Sequence, residues 1–209
     1  MKAIIYDLDG TLINSIEDLM DALQALIFRL GGKAVEREEL FDLLEVGSRK
    51  LMEALESRPD GLTDVDLFEM FNNEYETRLW NKTEPYEGVR EMLEAVAQRG
   101  CLQAVVTNKI DRLAQRVCAH FFPGVFELCI GTIPLPPKPD PTMLNMVIKD
   151  LGVDPSEVVY VGDTKGDMEA AEAAGLLGVG VNWGYGGNFE TKYLLKEPED
   201  LIRLLDTLE

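Results

Sequence analysis

Asp7 and Asp9 flank a single residue in the run Asp7-Leu8-Asp9-Gly10-Thr11-Leu12, which follows the apolar stretch at residues 3–6. Two carboxylates this close at the mouth of a buried strand repel each other unless a cation or a proton neutralises them. Gly10 permits a sharp backbone turn just there. Taken alone, the pattern reads equally well as an ordinary Asp-Gly turn with Asp9 exposed. A second pair of acids shifts that balance, because the apolar residues 158–161 run into Gly162-Asp163-Thr164-Lys165-Gly166-Asp167. Carboxylate and backbone oxygens are the hard ligands of Mg²⁺, which usually takes one or two carboxylates together with waters and a substrate phosphate. Asp7, Asp9, Asp163 and Asp167 at the ends of strands therefore point to a Mg²⁺ and phosphate site, although Asp167 also suits an acid favoured at a helix N-terminus. Two further segments fit an anion. Val105-Val106 leads into Thr107-Asn108-Lys109, where a hydroxyl and backbone N–H groups precede a helix. Pro136-Pro137-Lys138-Pro139-Asp140-Pro141 confines one lysine between prolines, with Asp140 expected as a helix N-cap and Pro141 at the first helical position. A lysine so confined is a point charge for a phosphate.

These residues meet only if the elements between them form one sheet. Short apolar runs at residues 3–6, 102–106, 125–130, 158–161 and 177–181 alternate with helix-period segments at 89–98, 112–120, 142–151 and 167–174, the last closed by Gly175. Such alternation predicts a doubly wound α/β fold, a Rossmann-like parallel sheet whose ligands bind beyond the carboxyl ends of the strands. Residues 14–84 break the pattern with helical spacing and no strand. Ile16, Leu19, Met20, Leu23, Ile27 and Leu30 form one apolar face, Leu51, Met52 and Leu55 begin another, and a third helix over 63–80 is opened by Thr63 with Asp66 three residues on. The expected organisation is an α/β core of residues 1–13 and 85–209, with a small all-helical cap domain, residues 14–84, inserted after the first strand.

Composition narrows the function classes. The 209 residues include 38 acidic and 20 basic side chains, a formal charge of −18, and 46% hydrophobic residues, enough to fill a core. This charge argues against nucleic acid and against anionic membrane surfaces as partners. Cys101, Cys118 and Cys129 lack metal-ligand spacing and read as buried free thiols of a reducing compartment. With His120 the one histidine, a His-rich zinc site is excluded, and a Ser-His-Asp triad would have to draw on that residue. No long apolar run is present, so a soluble, cytoplasmic protein without signal peptide or membrane span is expected. The glycines of residues 178–187 lack the spacing of a dinucleotide-binding loop.

The ordered motifs resemble those of the haloacid dehalogenase superfamily across nearly the whole chain. Asp7 to Thr11 is similar to its D-x-D-G-T motif, Thr107 to its strand-end Ser/Thr, Lys138 to its lysine, and Gly162, Asp163 and Asp167 to its G-D-x-x-x-D motif. The helical insert, together with Tyr86-Glu87-Gly88-Val89, Val106-Thr107-Asn108-Lys109, Lys138-Pro139-Asp140-Pro141 and Trp183-Gly184-Tyr185-Gly186, looks like the phosphoglycolate phosphatase-like branch. The resemblance implies that Asp7 attacks phosphorus and forms an aspartyl-phosphate, while Asp9 protonates the leaving alkoxide and later deprotonates water. It implies Mg²⁺ held by Asp7, the Asp9 backbone carbonyl and Asp163. Asp167, counted with the metal-site acids, would orient metal-bound water or Lys138 rather than coordinate directly. Thr107, the Asn108 N–H and Lys138 would take the charge on the phosphoryl oxygens. Val46-Gly47-Ser48-Arg49-Lys50 resembles the cap loop that faces the core site, where Gly47 allows close approach and Arg49 or Lys50 could pair with a substrate carboxylate. An exposed pair at a helix start is the other reading of those two cations. Lys109 and Arg112 are further cations that could support the site from behind the residues that touch the substrate.

The reading that results is a Mg²⁺-dependent phosphatase of a small phosphorylated metabolite, phosphoglycolate being the best single substrate, in a monomer or homodimer. Asp9 disfavours a dehalogenase, and Thr107-Asn108 fits phosphatases better than sugar phosphomutases. A pyrophosphatase on the same scaffold is a further alternative. A phosphonate-cleaving relative would need a Schiff-base lysine, for which Lys33, Lys50 and Lys82 are the candidates. A non-catalytic phosphate-binding module would be expected to lack one of the acids or the lysine, and none is missing.

Overall fold

The computed structural model describes residues 1–37, 39, 61–186 and 189–208. The chain divides into two compact units, Met1–Asn14 with Glu84–Glu209, and Ser15–Thr83.

The first unit is built on a six-stranded sheet in the order β5-β4-β1-β6-β7-β8. Its strands are β1 (Ala3–Tyr6), β4 (Leu102–Ile110), β5 (Leu128–Thr132), β6 (Val158–Gly162), β7 (Leu177–Val181) and the short β8 (Leu194–Leu195). Every neighbouring pair is parallel. All four residues of β1 are fully buried, as a strand covered by helices on both faces requires. From β1 the chain moves outward on one side through β4 to β5, then returns to the other side of β1 as β6. The two directions of winding diverge at β1, so the carboxyl end of that strand is the topological switch point where α/β sheets hold ligands.

Alternation along each strand divides the core. Ala3, Ile5, Ala104, Val106, Val158 and Tyr160 face Met143, Leu144, Val147 and Ile148 of α5 (Thr142–Leu151) and Ala170 and Ala171 of α6 (Lys165–Ala173). On the opposite face the Tyr6 hydroxyl donates to Gln103 Oε1 at 3.0 Å, and the Gln103 amide donates to the Leu93 carbonyl of α3 (Val89–Gln98). Cys129 of β5 meets Cys118 of α4 (Asp111–Phe121), their Sγ atoms 3.3 Å apart. All three cysteines are free, but Cys118 alone is buried and Cys101 and Cys129 are partly accessible. The last helix, α7 (Glu199–Leu208), packs on α3. The two-residue strands β2 (Ile13–Asn14) and β3 (Glu84–Pro85) pair antiparallel, too short to leave a hydrophobic pattern in the sequence.

Four local expectations are corrected. β5 begins at Leu128 rather than Val125, because the Phe126 ring turns back to pack on Tyr6 and Phe122. β4 continues through Thr107–Lys109 to Ile110, which pairs with Thr132 after a shift in register. Helix α6 starts at Lys165, two residues before Asp167, since Thr164 caps it. Pro141, not Asp140, occupies the N-cap of α5; the Asp140 carboxylate instead accepts the Thr142 N–H at 2.9 Å.

The second unit holds, among its described residues, α1 (Ile16–Arg29) and α2 (Asp64–Glu76) and no strand. The three-four spacing brings Met20, Leu23, Leu26 and Ile27 of α1 against Leu67 of α2. Thr63 and Asp66 form a reciprocal capping box, Thr63 Oγ1 accepting the Asp66 N–H while the Asp66 carboxylate accepts the Thr63 N–H at 2.7 Å. The buried Asp18 carboxylate accepts the N–H groups of Lys82 and Thr83 and the Thr83 hydroxyl, which ties the end of this unit to the start of α1.

Candidate active site

Three strand ends deliver the charged groups to one edge of the sheet. Asp7 extends β1 by one residue, its N–H donating to the Val161 carbonyl at 2.8 Å. The Leu8 carbonyl then accepts from Thr11, Leu12 and Ile13, a tight turn that lifts Asp9 away from the sheet. Gly10 has φ of +86°, and a Cβ there would run into the Asp163 carboxylate. Both facts demand glycine.

Asp163 follows β6 and is 1% exposed. Its Oδ2 accepts the N–H groups of Tyr185 and Gly186 at 2.8 and 3.2 Å, and its Oδ1 accepts the Thr11 hydroxyl at 3.3 Å. The loop 184–186 lies so close that a Cβ at Gly186 would collide with the Asp163 carbonyl. The glycines after β7 thus serve close approach to a carboxylate rather than to a dinucleotide.

Lys138 lies at the centre of the cluster. Its Nζ donates to Asp7 Oδ1 and Asp167 Oδ1, both at 2.6 Å, and lies 2.8 Å from the Tyr160 hydroxyl and 3.3 Å from the Val106 carbonyl. Asn108 clasps the Lys138 backbone from both sides, its Oδ1 accepting the Lys138 N–H and its Nδ2 donating to the Lys138 carbonyl. Asp167 has both oxygens engaged: Oδ1 by Lys138 and the Tyr160 hydroxyl, Oδ2 by the N–H and hydroxyl of Thr164 in the capping box of α6.

Three buried carboxylates therefore share one buried ammonium. Burial pushes Asp7 up to about 8, and the charges of Asp167 and Asp163 add to that while Lys138 opposes it. Asp163 is raised to about 6, again by burial first and Asp167 second, with the Tyr185 and Gly186 amides pulling the other way. For Asp167 burial also raises, but Lys138, Thr164 and Tyr160 outweigh it and hold this carboxyl below its ordinary value. Burial by itself would lower Lys138; Asp167 and Asp7 outweigh that and keep it charged. Among the described residues, Asp7, Asp163 and Asp167 each offer an oxygen, all within 4.8 Å of one another. An all-oxygen set with excess negative charge in a buried site fits a hard divalent cation of the Mg²⁺ kind.

The remaining candidates lie beside this cluster or outside the description. Thr107 is 1% exposed and lies within the last part of β4, with Oγ1 accepting the Lys109 N–H at 3.2 Å. Asp9 is paired with Lys109, whose Nζ lies 2.9 Å from Asp9 Oδ1. Gly47, Arg49 and Lys50 lie outside the described residues. So does the Schiff-base candidate Lys50; Lys82 is engaged by Asp21 at 2.6 Å, and Lys33 is exposed. Sequence reasoning named Lys109 as a supporting cation but not its partner Asp9, and it missed Tyr160 and the amides of 185–186. The partner of Lys109 left no local signal, because the extension of β4 past residue 106 is set by pairing with β5 across a shifted register. Tyr160 sits inside an apolar run and gave none.

The molecule is thus a parallel α/β sheet whose switch point gathers three buried aspartates, two of them bridged by Lys138. The family model described as haloacid dehalogenase-like hydrolase matches residues 4–181, and the chain belongs to that family. A protein of Aquifex aeolicus named phosphoglycolate phosphatase is 31% identical over 210 residues, covering 99% of this chain and 97% of its own length. Another of Pseudomonas aeruginosa, named N-acetylmuramic acid 6-phosphate phosphatase, is 28% identical over 218 residues, covering 99% and 95%. Among solved structures, a protein of Haemophilus somnus 129pt described as a predicted phosphoglycolate phosphatase superposes with a TM-score of 0.88 at 26% identity, covering 98% of each chain.

Proposed function

We propose that this hydrolase is a Mg²⁺-dependent phosphatase that cleaves small phosphomonoesters through an aspartyl-phosphate on Asp7. The observation that carries the reading is Lys138 Nζ held at 2.6 Å from both Asp7 and Asp167, with Asp163 completing the trio. A lysine in this position holds the attacking carboxylate in one orientation. It also supplies positive charge where a phosphoryl group must approach an anion. Asp7 and Asp163, with the Asp9 backbone carbonyl, would hold Mg²⁺, which supplies charge neutralisation between carboxylate and phosphate. Both oxygens of Asp167 are engaged by neighbours, which favours a part in orienting Lys138 over direct coordination. Thr107 and the amides that follow it would hold the phosphoryl oxygens, and Asp9 would carry the proton to the leaving oxygen and then take one from water. Residues 15–83 would act as the cap that selects the rest of the substrate.

Phosphoglycolate is the first substrate to try, because curated relatives at about 31% identity carry that name. N-acetylmuramic acid 6-phosphate belongs in the same panel on the strength of the Pseudomonas relative. Release of inorganic phosphate is measured with Mg²⁺ and with EDTA. Asp7→Asn is expected to lose turnover by at least about three orders of magnitude, as removal of a covalent nucleophile does, while still folding. Turnover retained in that variant would overturn the nucleophile, and metal-independent turnover would overturn the cation.

A further inference from the structure

We propose that Lys109 is the positioning residue for Asp9, the side chain that fixes the direction in which the proton-carrying carboxylate faces. The inference deepens the function proposed above and rests on it. Lys109 Nζ lies 2.9 Å from Asp9 Oδ1; the Lys109 side chain is 4% exposed and that of Asp9 18%. Ion pairs between long exposed side chains are worth little because both partners keep their rotamer freedom. Lys109 has no such freedom. Its stem is enclosed, and the backbone it springs from is fixed at successive points: its own N–H donates to Thr107 Oγ1, and the preceding carbonyl, that of Asn108, accepts the Thr132 hydroxyl at 3.0 Å. Asn108 in turn clasps the Lys138 backbone. The strand end 107–109 thus carries three tasks on consecutive residues. Thr107 Oγ1 accepts the Lys109 N–H, Asn108 holds the loop of Lys138, and Lys109 reaches Asp9.

Asp9 needs such an anchor more than Asp7 does. Asp7 continues the β1 ladder and is held by Lys138, whereas Asp9 sits on the turn that follows, outside that ladder. Anchoring Oδ1 fixes the plane of the group and with it the direction of Oδ2. A proton carrier must stand within about 2.6–3.2 Å of the oxygen it serves, so a rotated carboxylate delivers nothing. The two lysines of the site therefore divide the work, Lys138 on the nucleophile and Lys109 on the proton carrier.

The test uses phosphomonoesters of graded leaving groups: dinitrophenyl, nitrophenyl, phenyl and simple alkyl phosphate. Each is assayed with Mg²⁺ on wild type, Lys109→Met, Asp9→Asn, the double variant and Lys109→Arg. Dinitrophenolate leaves without a proton, so kcat/KM for that ester is expected to change by less than about threefold in Lys109→Met. For the alkyl ester, which needs its leaving oxygen protonated, a fall of about 10–100-fold is expected, part of what general acid catalysis contributes. Asp9→Asn should show the same leaving-group signature more strongly, the double variant should be no worse than Asp9→Asn alone, and Lys109→Arg should recover most of the loss. Lys109→Gln, polar but too short to reach, replaces the Met variant if that one does not fold. A loss uniform across the series, no loss, or a loss that multiplies with that of Asp9→Asn would overturn the positioning role. If Asp9→Asn itself leaves the alkyl ester unaffected, the assignment of Asp9 fails first and Lys109 falls with it.

Discussion

Lys138 and the carboxylates around it illustrate how far single side chains set the chemistry. Removing the ammonium would leave Asp7 and Asp167 buried without their partner, and breaking a buried ion pair from one side typically costs about 3–5 kcal/mol. Lys138→Met is therefore expected to lower the unfolding free energy of the metal-free protein by that order, read from urea titration, and to abolish phosphate release. The elevated Asp7 and Asp163 give a pH dependence of definite sign. A carboxyl whose value is raised on folding binds more protons in the native state, so its stabilising contribution is present at acid pH and is lost as the pH rises. With Asp163 at about 6 and Asp7 at about 8, the thermal midpoint in EDTA should fall between about pH 5 and pH 8.5. Asp167, held low, contributes in the opposite direction and only at more acid pH. Adding Mg²⁺ should raise the midpoint more at the alkaline end than at the acid end, and Asp7→Asn should flatten the EDTA profile; a midpoint that climbs with pH in EDTA would contradict this account.

At the scale of elements, the site depends on where strands stop. The acids at positions 7, 9, 163 and 167 and Lys138 were legible in the sequence because each follows a short apolar run or lies among prolines, and those are local features. The extension of β4 to Ile110 was not legible, since it is fixed by pairing of Ile110 with Thr132 across a shifted register. The same is true of the true start of α6. Thr164 there does two things at once: it caps the helix by accepting the Asp167 N–H, and it holds Asp167 Oδ2. Thr164→Ala should cost about 0.5–2 kcal/mol as a lost N-cap, measured by denaturant unfolding. It should also weaken the hold of Asp167 on Lys138, seen as a kcat reduced more than an equally destabilising change on the exposed face of α5 produces.

For the molecule as a whole, the −18 charge remains the feature that no motif absorbs. An anionic ester must approach a protein that repels it, and the two lysines of the site are both engaged by aspartates, Lys138 by Asp7 and Asp167 and Lys109 by Asp9. At low ionic strength this repulsion is long-ranged, and at about 0.15 M it is confined to roughly 8 Å. Raising NaCl from a few millimolar to near-physiological levels, at constant saturating Mg²⁺, should therefore raise kcat/KM for an anionic ester, chiefly through KM. A steady decrease over that range would mean that local positive potential governs entry instead.

The sequence by itself determined the parallel α/β class and the presence of acids at the strand ends, because hydrophobic period and strand-end motifs are written in consecutive residues. Tertiary structure alone decided that Tyr160 supports Lys138, that the amides of Tyr185 and Gly186 bind Asp163, and that Lys109 reaches Asp9. Each of those contacts joins residues from different strands or loops at the sheet edge. Their distances depend on register and side-chain burial, which only the folded chain defines.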